Sequence, residues 1–312
     1  MPKKFNFTFS DIKRYSIKKR FSMVSTASFS SPYSKGSSFD TFIKTLPKTL
    51  KASELLELVD ILKNVIEEKK TFILGIGGHV IKTGLSPLIV DLLKQGYISH
   101  MVLNGAGLIH DFELAFNCAT SENVDTAIEN GSFGMAEETG RIINQAIVEP
   151  SKGLGYNLGK FIFESDYKNK NMSILAACYD KKIPVSVHVA FGTDIIHCHP
   201  EFDAKVTGEA THVDFLKLVK SVTVLDKGAF ISFGSAVIIP EVFLKALTVA
   251  RNLGFKVNEI YSAYFDFMHQ YRPATNIVKR PTSLGGKGFY FIGHHELMMP
   301  LFIGCLKESL GK

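Results

Sequence analysis

The chain has 312 residues, of which 46% are hydrophobic and 21% are charged, and its formal net charge is +6. These values are typical of a soluble protein with an ample core, folded as one large domain or two smaller ones. No apolar run reaches the roughly 18 residues that a membrane span requires, so we expect no membrane association.

The positive charge is concentrated at the N-terminus. Eight of the 36 Lys and Arg residues lie within the first 35 positions against one acid, Asp11, so the rest of the chain carries 28 bases and 29 acids. A nearly neutral body gives no argument for nucleic acid binding. The segment also has no apolar core of a secretory signal. Its aromatic residues include Phe5, Phe7, Phe9, Tyr15 and Phe21.

We interpret residues 1–45 as a basic, aromatic arm that packs on a neighbouring subunit, with an organelle signal as the alternative, and residues 46–312 as a single α/β domain. The cysteines form no CxxC pair, which favours free thiols over a structural zinc site. We therefore expect a reducing compartment, the cytoplasm. The four cysteines are Cys118, Cys178, Cys198 and Cys305.

After the arm, the body repeats one pattern, in which a short apolar strand meets a glycine-rich turn and then a helix. The first helix is predicted at 52–69, with Ser53 as its cap, and a second begins at about Ser86 and ends before Gly96. Another is predicted from Pro240 to Asn252. The predicted strands are 71–76, 99–104, 184–191, 229–233, 256–265 and 288–293.

Continuous apolar strands that alternate with helices indicate a doubly wound α/β fold, with a mostly parallel, Rossmann-like sheet covered by helices on both faces. In such sheets ligands bind at the carboxyl ends of the strands, where the strand order reverses. Each glycine-rich turn lies along that edge. Glycine permits close approach of a ligand to the backbone, and a helix N-terminus favours a phosphate.

The stretch HMVLNGAGLIHDFELAF (100–116) shows the pattern most clearly, because His110, Asp111 and Glu113 follow the turn Gly105-Ala106-Gly107. One interpretation is a nucleotide turn with acid and base groups beside it. The other is a tight turn followed by a solvated helix start. Seven of the ten histidines lie at or inside predicted strand ends: His79, His110, His188, His197, His199, His294 and His295.

The densest group of histidines lies in HVAFGTDIIHCHP (188–200). His197 and His199 would face the same side of a strand and give two metal ligands, with a third needed from elsewhere, such as His294. The alternative is that these histidines form backbone hydrogen bonds at a crowded sheet edge. No complete metal motif, P-loop or GxSxG elbow is present, so we expect no metal.

In the order of its motifs the chain resembles deoxyhypusine synthase over roughly residues 70–270. GGHVIKTGLSPLIVDLLKQG is similar to the family's Ser/Thr-Asn-rich turn and helix, and LNGAGLIHD resembles its nucleotide turn TTAGGVEED. AFISFGSAVIIPEV occupies the place of the strand and Gly-Gly-Gly loop before the active lysine. NMSILAACYDKKIPVSVHVAFGTD and ARNLGFKVNEIYSAYFDF are similar to later segments of the family.

The resemblance implies that NAD binds across these turns, between the subunits of a homotetramer. It also implies that His110 and Asp111 lie where the family binds its polyamine beside the nicotinamide. The residues that would contact or adjoin the dinucleotide are Asn104, Gly105, Ala106 and Gly107, then Gly77, Gly78 and Thr83, and Asp266, which matches the family's Phe-Asp.

Two departures change the expected chemistry. The family's Glu-Glu-Asp becomes Ile109-His110-Asp111, which removes carboxylates from a site made for a polycation. The family's active lysine aligns with Ile239, and isoleucine forms no Schiff base. The chain is therefore expected to be a divergent paralogue that does not make deoxyhypusine.

Three functions remain open. The first is an NAD-dependent enzyme that oxidises a C–N or C–O bond of a small molecule by hydride transfer, with His110 or His188 as the base. Asp111 would orient that base, and Asp194 and Glu241 are further catalytic candidates. The second is a non-catalytic subunit. The third is a metal-dependent hydrolase or lyase that uses His188, His197, His199, His294, His295 and Glu296.

Overall fold

The computed structural model describes residues 7–311, and the chain divides into two compact units, residues 1–53 and 54–312. The first unit contains three short 3-10 turns and helix α1, whose first turn is capped where the Ser38 hydroxyl accepts a hydrogen bond from the Thr41 amide. The aromatic side chains of Phe7, Phe9 and Phe21 are exposed. Phe5 lies outside the described residues.

The second unit is built on one six-stranded sheet in which every pair of neighbours runs parallel, in the order β3-β2-β1-β4-β5-β6. The chain runs first to one side of β1 and then to the other, and parallel crossovers are right-handed as a rule, so the helices lie on both faces and the predicted doubly wound fold is confirmed. The strands are β1 (Phe72–Ile76), β2 (His100–Asn104), β3 (Val185–His188), β4 (Ala229–Phe233), β5 (Ile260–Asp266) and β6 (Gly286–Ile292).

The helices agree with the predicted pattern, with shifted ends. The first long helix begins at Leu50, so Ser53 lies inside it and is not its cap. β3 ends at His188, three residues before the predicted end. The helices are α1 (Phe39–Thr45), α2 (Leu50–Glu67), α3 (Gly78–Lys82), α4 (Ser86–Lys94), α5 (Gly105–Asn117), α6 (Val124–Glu129), α7 (Glu137–Gln145), α8 (Leu154–Glu164), α9 (Ile174–Asp180), α10 (Ala204–Val222), α11 (Ile238–Asn252), α12 (Tyr271–Pro273), which continues as the π-helix Ala274–Lys279, and α13 (His295–Leu310).

The strand order reverses at β1, and the turns that follow β1 and β4 are packed tightly there. The Gly77 amide donates to the Phe233 carbonyl at 2.9 Å, and a Cβ on Gly77 would lie 2.6 Å from the Ser235 amide nitrogen. Only glycine fits between these two backbones. The carboxyl ends of the strands on both sides of β1 therefore meet at one edge.

Ile239, the residue that the resemblance aligns with the family's lysine, is completely buried. It belongs to the apolar core between the sheet and α11, where the rings of Phe230 and Phe243 stack with centroids 3.7 Å apart. A charged amine at this position would have to be desolvated in an apolar environment. Among residues 7–311, no helix is both long enough and apolar enough to cross a bilayer.

The edge strand β3 is covered by one buried carboxylate. Asp214, on α10, accepts hydrogen bonds from the amides of Val187 and Gly155, both at 2.9 Å, and pairs with Lys217 at 2.8 Å. Burial raises the pKa of Asp214, while Lys217 and the two amides act in the opposite direction. Asp214 thus provides a hydrogen-bond acceptor for the Val187 amide, which would have no partner at the unpaired edge of the sheet.

A line of polar side chains joins α10 to the neighbouring strands β2 and β3. Ser221 Oγ lies 2.7 Å from His100 Nδ1, His100 Nε2 lies 3.0 Å from Ser186 Oγ, and that oxygen lies 3.0 Å from His188 Nε2. We call these four residues the His–Ser chain. Burial lowers the pKa of His100 and of His188 to about 3, and the charges of His188 and Lys217 lower that of His100 further. Both imidazoles are therefore neutral at physiological pH.

Replacing Asp214 with alanine should destabilise the protein strongly. The change leaves two amides without an acceptor and Lys217 without its partner, so we expect the free energy of unfolding to fall by about 3–5 kcal/mol. Urea denaturation measures the loss. The control is Asp180→Ala, whose ion pair with Lys181 is 42% exposed on both sides and should cost about 1 kcal/mol or less. Equal losses would contradict the role of Asp214.

The buried imidazoles predict acid sensitivity. An unfolded histidine binds a proton below about pH 6.5, whereas the folded chain resists protonation until about pH 3, so the free energy of unfolding falls as the pH drops below 6.5. His188→Gln removes one such group. Its loss of stability between pH 7.5 and 5 should be smaller than that of the wild type by about 2 kcal/mol. Denaturation at both pH values tests this, with the exposed His212→Gln as the control; a wild-type slope in His188→Gln would contradict it.

Candidate active site

Helix α5 carries the candidate site, and its rotation is fixed by Asp111. The Asp111 carboxylate is buried and accepts hydrogen bonds from the Ser173 hydroxyl at 2.5 Å and from the amides of Ile174 and Leu175 at 2.8 and 3.1 Å. Burial raises the pKa of Asp111 to about 6, against the effect of those hydrogen bonds. Asp111 therefore anchors the start of α9. From the sequence we had expected it to orient a catalytic base, and its contacts do not support that role.

His110 and Glu113 lie on the other side of α5 and are joined through Thr120. His110 Nδ1 lies 2.7 Å from Thr120 Oγ1, and that hydroxyl donates to Glu113 Oε2 at 2.5 Å. The second carboxylate oxygen of Glu113 accepts from the Thr139 hydroxyl at 2.8 Å. Positions three apart on a helix share a face, which is why these two side chains point the same way while Asp111 points into the core.

The hydrogen bonds of Thr120 determine which nitrogen of His110 carries a proton. A hydroxyl has one hydrogen, and Thr120 gives it to the carboxylate of Glu113. The oxygen of Thr120 must therefore accept from His110, so Nδ1 of the imidazole holds the hydrogen. Nε2 of the neutral ring is then an unprotonated acceptor. His110 is in the tautomer that a general base requires.

The Glu113 side chain is 18% exposed, and its hydrogen bonds keep it charged. Burial raises the pKa of the carboxyl, but the nearby His110 and the hydrogen bonds from Thr120 and Thr139 outweigh burial and hold the pKa below its ordinary value. The carboxylate lies 3.7 Å from His110 Nδ1. A negative charge at this distance stabilises the imidazolium that forms when His110 takes up a proton.

His110 and Glu113 line a cavity of about 690 Å³ at the carboxyl edge of the sheet. Three more carboxylates line it, from Glu122, Glu138 and Asp194, whereas Lys82 is its one lysine among the described residues. The resemblance implies that Ile109 and His110 stand where the family has carboxylates. The cavity is acidic nevertheless, because carboxylates from α5, α7 and two loops line it.

The turn 104–107 at the start of α5 is less open than the family's nucleotide turn implies. The Asn104 side chain accepts from the Gly107 amide at 2.9 Å, and a Cβ on Gly105 would overlap the Asp194 carboxylate. Asp194 is held there by the Ala190 amide, at 2.9 Å. Burial raises the pKa of Asp194. While Asp194 occupies this position, the turn does not fit the negative pyrophosphate of a dinucleotide, contrary to our expectation for Asn104, Gly105, Ala106 and Gly107.

The strand ends on the other side of the reversal point do fit a dinucleotide. Phe267 is 46% exposed, and its ring lies nearly parallel to that of His294, with centroids 6.3 Å apart. His295 is buried beside Gly234, and its Nδ1 has no hydrogen-bond partner among the described residues. Exposed rings suit a flat base, and a buried imidazole without a partner suits a polar group of a ligand. We call His79, Gly234, Phe267, His294 and His295 the reversal-point group.

The other predicted site residues have local structural partners. Gly78 packs against α5, where an added Cβ would lie 2.9 Å from the Cβ of Ala106. The Thr83 hydroxyl donates to carbonyls of its own helix, and Asp266 accepts from the Tyr264 hydroxyl at 2.6 Å. Glu241 lies at the surface, paired with Lys245 and bonded to Asn276. His188 belongs to the His–Ser chain and does not line the cavity.

The histidines proposed as metal ligands are not brought together. His197 lies between Phe191 and Phe202, with ring centroids 4.9 and 4.7 Å away, and His199 Nε2 lies 2.8 Å from the Gly134 carbonyl. His294 lies on Phe267 at another strand end. Among residues 7–311, no three His, Cys, Asp or Glu side chains are arranged to hold a metal ion. All four cysteines are free thiols, as predicted, but we expected them to be buried and only Cys178 and Cys305 are, whereas Cys118 and Cys198 are exposed.

Sequence reasoning overlooked the threonines, and it assigned the orienting carboxylate to the wrong position. Helical spacing from His110 points to Glu113 and not to Asp111, so this part of the site was available in the sequence. Thr120 lies in a loop and Thr139 in α7, and no local pattern links either residue to His110. Their positions depend on the tertiary packing of α5 and α7.

Residues 42–238 of the chain match the family model for deoxyhypusine synthase. A curated relative, the "Probable deoxyhypusine synthase" of Sulfolobus acidocaldarius, is 25% identical over 165 residues, 46% of this chain and 53% of the relative. The chain thus spans about half the length of the curated relatives that it matches.

Solved structures show the same fold at low sequence identity. A candidate deoxyhypusine synthase from Entamoeba histolytica superposes with a TM-score of 0.52 and 13% identity, over 87% of this chain and 93% of that one. AgrE, crystallised with ornithine and NAD+, gives a TM-score of 0.51 and 13% identity, over 86% and 34%. Because the family model matches more than half of the chain, the chain belongs to the deoxyhypusine synthase family.

Proposed function

We propose that this protein is an NAD-dependent enzyme that oxidises a small amine, or a hydroxyl compound, by hydride transfer and does not make deoxyhypusine. The hydrogen-bonded set His110–Thr120–Glu113 carries the proposal, because it presents an unprotonated imidazole nitrogen inside an acidic cavity. Family membership supports NAD as the cofactor. The likeness to AgrE, which was crystallised with NAD+ and the amine ornithine, supports the same fold and no more.

The acidic lining favours a cationic substrate. Carboxylates of Glu113, Glu122, Glu138 and Asp194 face Lys82 and His110 across the same cavity, so the site favours a small molecule with one or more ammonium groups. A neutral alcohol would gain less from these charges. Amines are therefore the substrate class that we favour.

In the proposed reaction, Nε2 of His110 takes a proton from the substrate's ammonium group and leaves a neutral amine. The adjacent C–H bond then breaks with its electron pair, and the product is an iminium ion. The cofactor, when bound, supplies the acceptor for that hydride. Glu113 acts through Thr120 as a positioning residue, because it fixes the tautomer of His110 and offsets the positive charge that His110 gains. The reversal-point group and Gly77 would hold the dinucleotide.

We also propose a cytoplasmic homotetramer in which the basic arm packs on another subunit, as the family implies. Exposed aromatic side chains at Phe7, Phe9, Tyr15 and Phe21 support an arm with a partner, since several large apolar side chains exposed along one short segment are typical of an interaction surface. Light scattering that reports a monomer at micromolar concentration would contradict this assembly.

The purified protein should bind NAD and reduce it when an amine is added. Binding should raise the free energy of unfolding by about 2.7 kcal/mol at a hundred-fold excess of NAD over its dissociation constant. With enzyme and cofactor in equal amounts, diamines and triamines should give a burst of NADH absorbance. His110→Gln should slow that burst by about 10²–10⁴-fold while NAD binding is retained.

A second variant, Glu113→Gln, should also slow the burst, because the negative charge next to Thr120 is lost. Its matched control is Glu129→Gln, which changes an exposed glutamate on the neighbouring helix α6 and should leave the burst unchanged. No stabilisation by NAD or NADP would contradict the oxidoreductase. A burst that His110→Gln leaves at the wild-type rate would contradict the assigned base.

The protein should not transfer an aminobutyl group. Incubation with NAD, labelled spermidine and the translation-factor acceptor should leave the acceptor unlabelled, and borohydride should trap no adduct on the enzyme. Ile239→Lys should not restore the transfer, because the new amine would lie in the apolar core beside Phe230 and Phe243. A labelled acceptor, or a trapped adduct in the wild type, would show that another lysine performs this step.

A further inference from the structure

A second cavity, of about 840 Å³, lies at the opposite edge of the sheet, around the amino end of β3. We call it the amino-end cavity. Its apolar part is formed by Pro184 and Val185 at the start of the strand and by Phe163 and Tyr179 of the helices beside it. Neither His110 nor the reversal-point group lines it, so it is separate from the candidate active site.

The charges around the amino-end cavity are mostly positive. Lys182, Lys217 and Lys220 line it, against the single acid Asp180. Asp180 pairs with Lys181, at 3.0 Å, and Lys217 pairs with Asp214. Within the described part of the chain neither Lys182 nor Lys220 lies within 4.0 Å of a carboxylate. Two ammonium groups at the rim of an apolar cavity are complementary to an anion with an apolar body.

The amino-end cavity also reaches the His–Ser chain, because Ser221 lines it. Its hydroxyl lies 2.7 Å from His100 Nδ1, and the chain continues through Ser186 to His188 at the carboxyl end of β3. If the Ser221 hydroxyl donates its one hydrogen to a ligand, its oxygen can only accept a hydrogen bond from His100 Nδ1. An anion in the cavity would thus set the tautomers of two buried imidazoles, His100 at the amino end of β2 and His188 at the carboxyl end of β3.

We propose that the amino-end cavity binds an amphipathic organic anion, with a carboxylate or phosphate headgroup beside Lys182, Lys220 and Ser221 and an apolar tail on Phe163, Tyr179 and Val185. The apolar walls exclude water from the tail, and the lysines reject cations of the same shape. The anion bound here and the amine of the proposed reaction have opposite charges, so the two cavities recognise different classes of ligand.

The binding test uses dodecanoate and dodecyl phosphate, below their micellar concentrations, in isothermal titration calorimetry of the full chain. We expect saturable binding of one molecule per chain, and the stronger probe identifies the headgroup. Dodecyltrimethylammonium, with the same tail and opposite charge, should not bind. Lys182→Glu/Lys220→Glu should weaken binding at least tenfold, whereas Lys279→Glu, an exposed lysine that lines neither cavity, should not change it.

The tautomer test uses the wild type, so it does not depend on how a variant folds. In protein labelled with ¹⁵N histidine and saturated with the stronger probe, the proton of His100 should be on Nδ1 and that of His188 on Nε2. Opposite tautomers would overturn the role of Ser221. Absence of saturable binding, equal binding of the ammonium probe, or full affinity in the double variant would overturn the site. So would a probe that binds only by dissociating a complex between two copies of the chain.

Discussion

The site depends on one buried carboxylate. Asp111 accepts three hydrogen bonds at the start of α9, and this fixes how α5 is rotated about its own axis. With that rotation fixed, His110 and Glu113 can face only the cavity, and Thr120 and Thr139 meet them there. A residue that does not touch the substrate thus determines where the reacting groups lie, because a helix presents its side chains at fixed angles.

Sequence periodicity predicted the fold well, since apolar strands followed by glycine turns leave few alternatives to a parallel sheet. It also predicted that the turns meet at one edge, as Gly77 and Ser235 do. The roles of individual polar residues were harder to predict. His188 and Asp111 were expected at the surface of the site and are buried, because side-chain burial follows from packing between distant elements, which spacing along the chain does not encode.

The chain shares its fold with a solved structure from the family, and its expected departures concern individual side chains. Ile239, which the resemblance aligns with the family's lysine, is part of the apolar core. Carboxylates from α5, α7 and the loops near them line the cavity, so the cavity can attract a cation. Asp194 lies against the turn 104–107, and a negative pyrophosphate and a carboxylate do not share one place.

The cover over β3 limits how copies of this chain can associate. The Val187 amide is bonded to Asp214 and its carbonyl to the Thr211 hydroxyl, and α8 lies against the strand at Gly155. No ladder of free amides and carbonyls remains at Val187 for a strand of another molecule to extend. Copies of the chain therefore cannot associate by continuation of the sheet at Val187 of β3, which also protects this end of the sheet against fibril-like stacking.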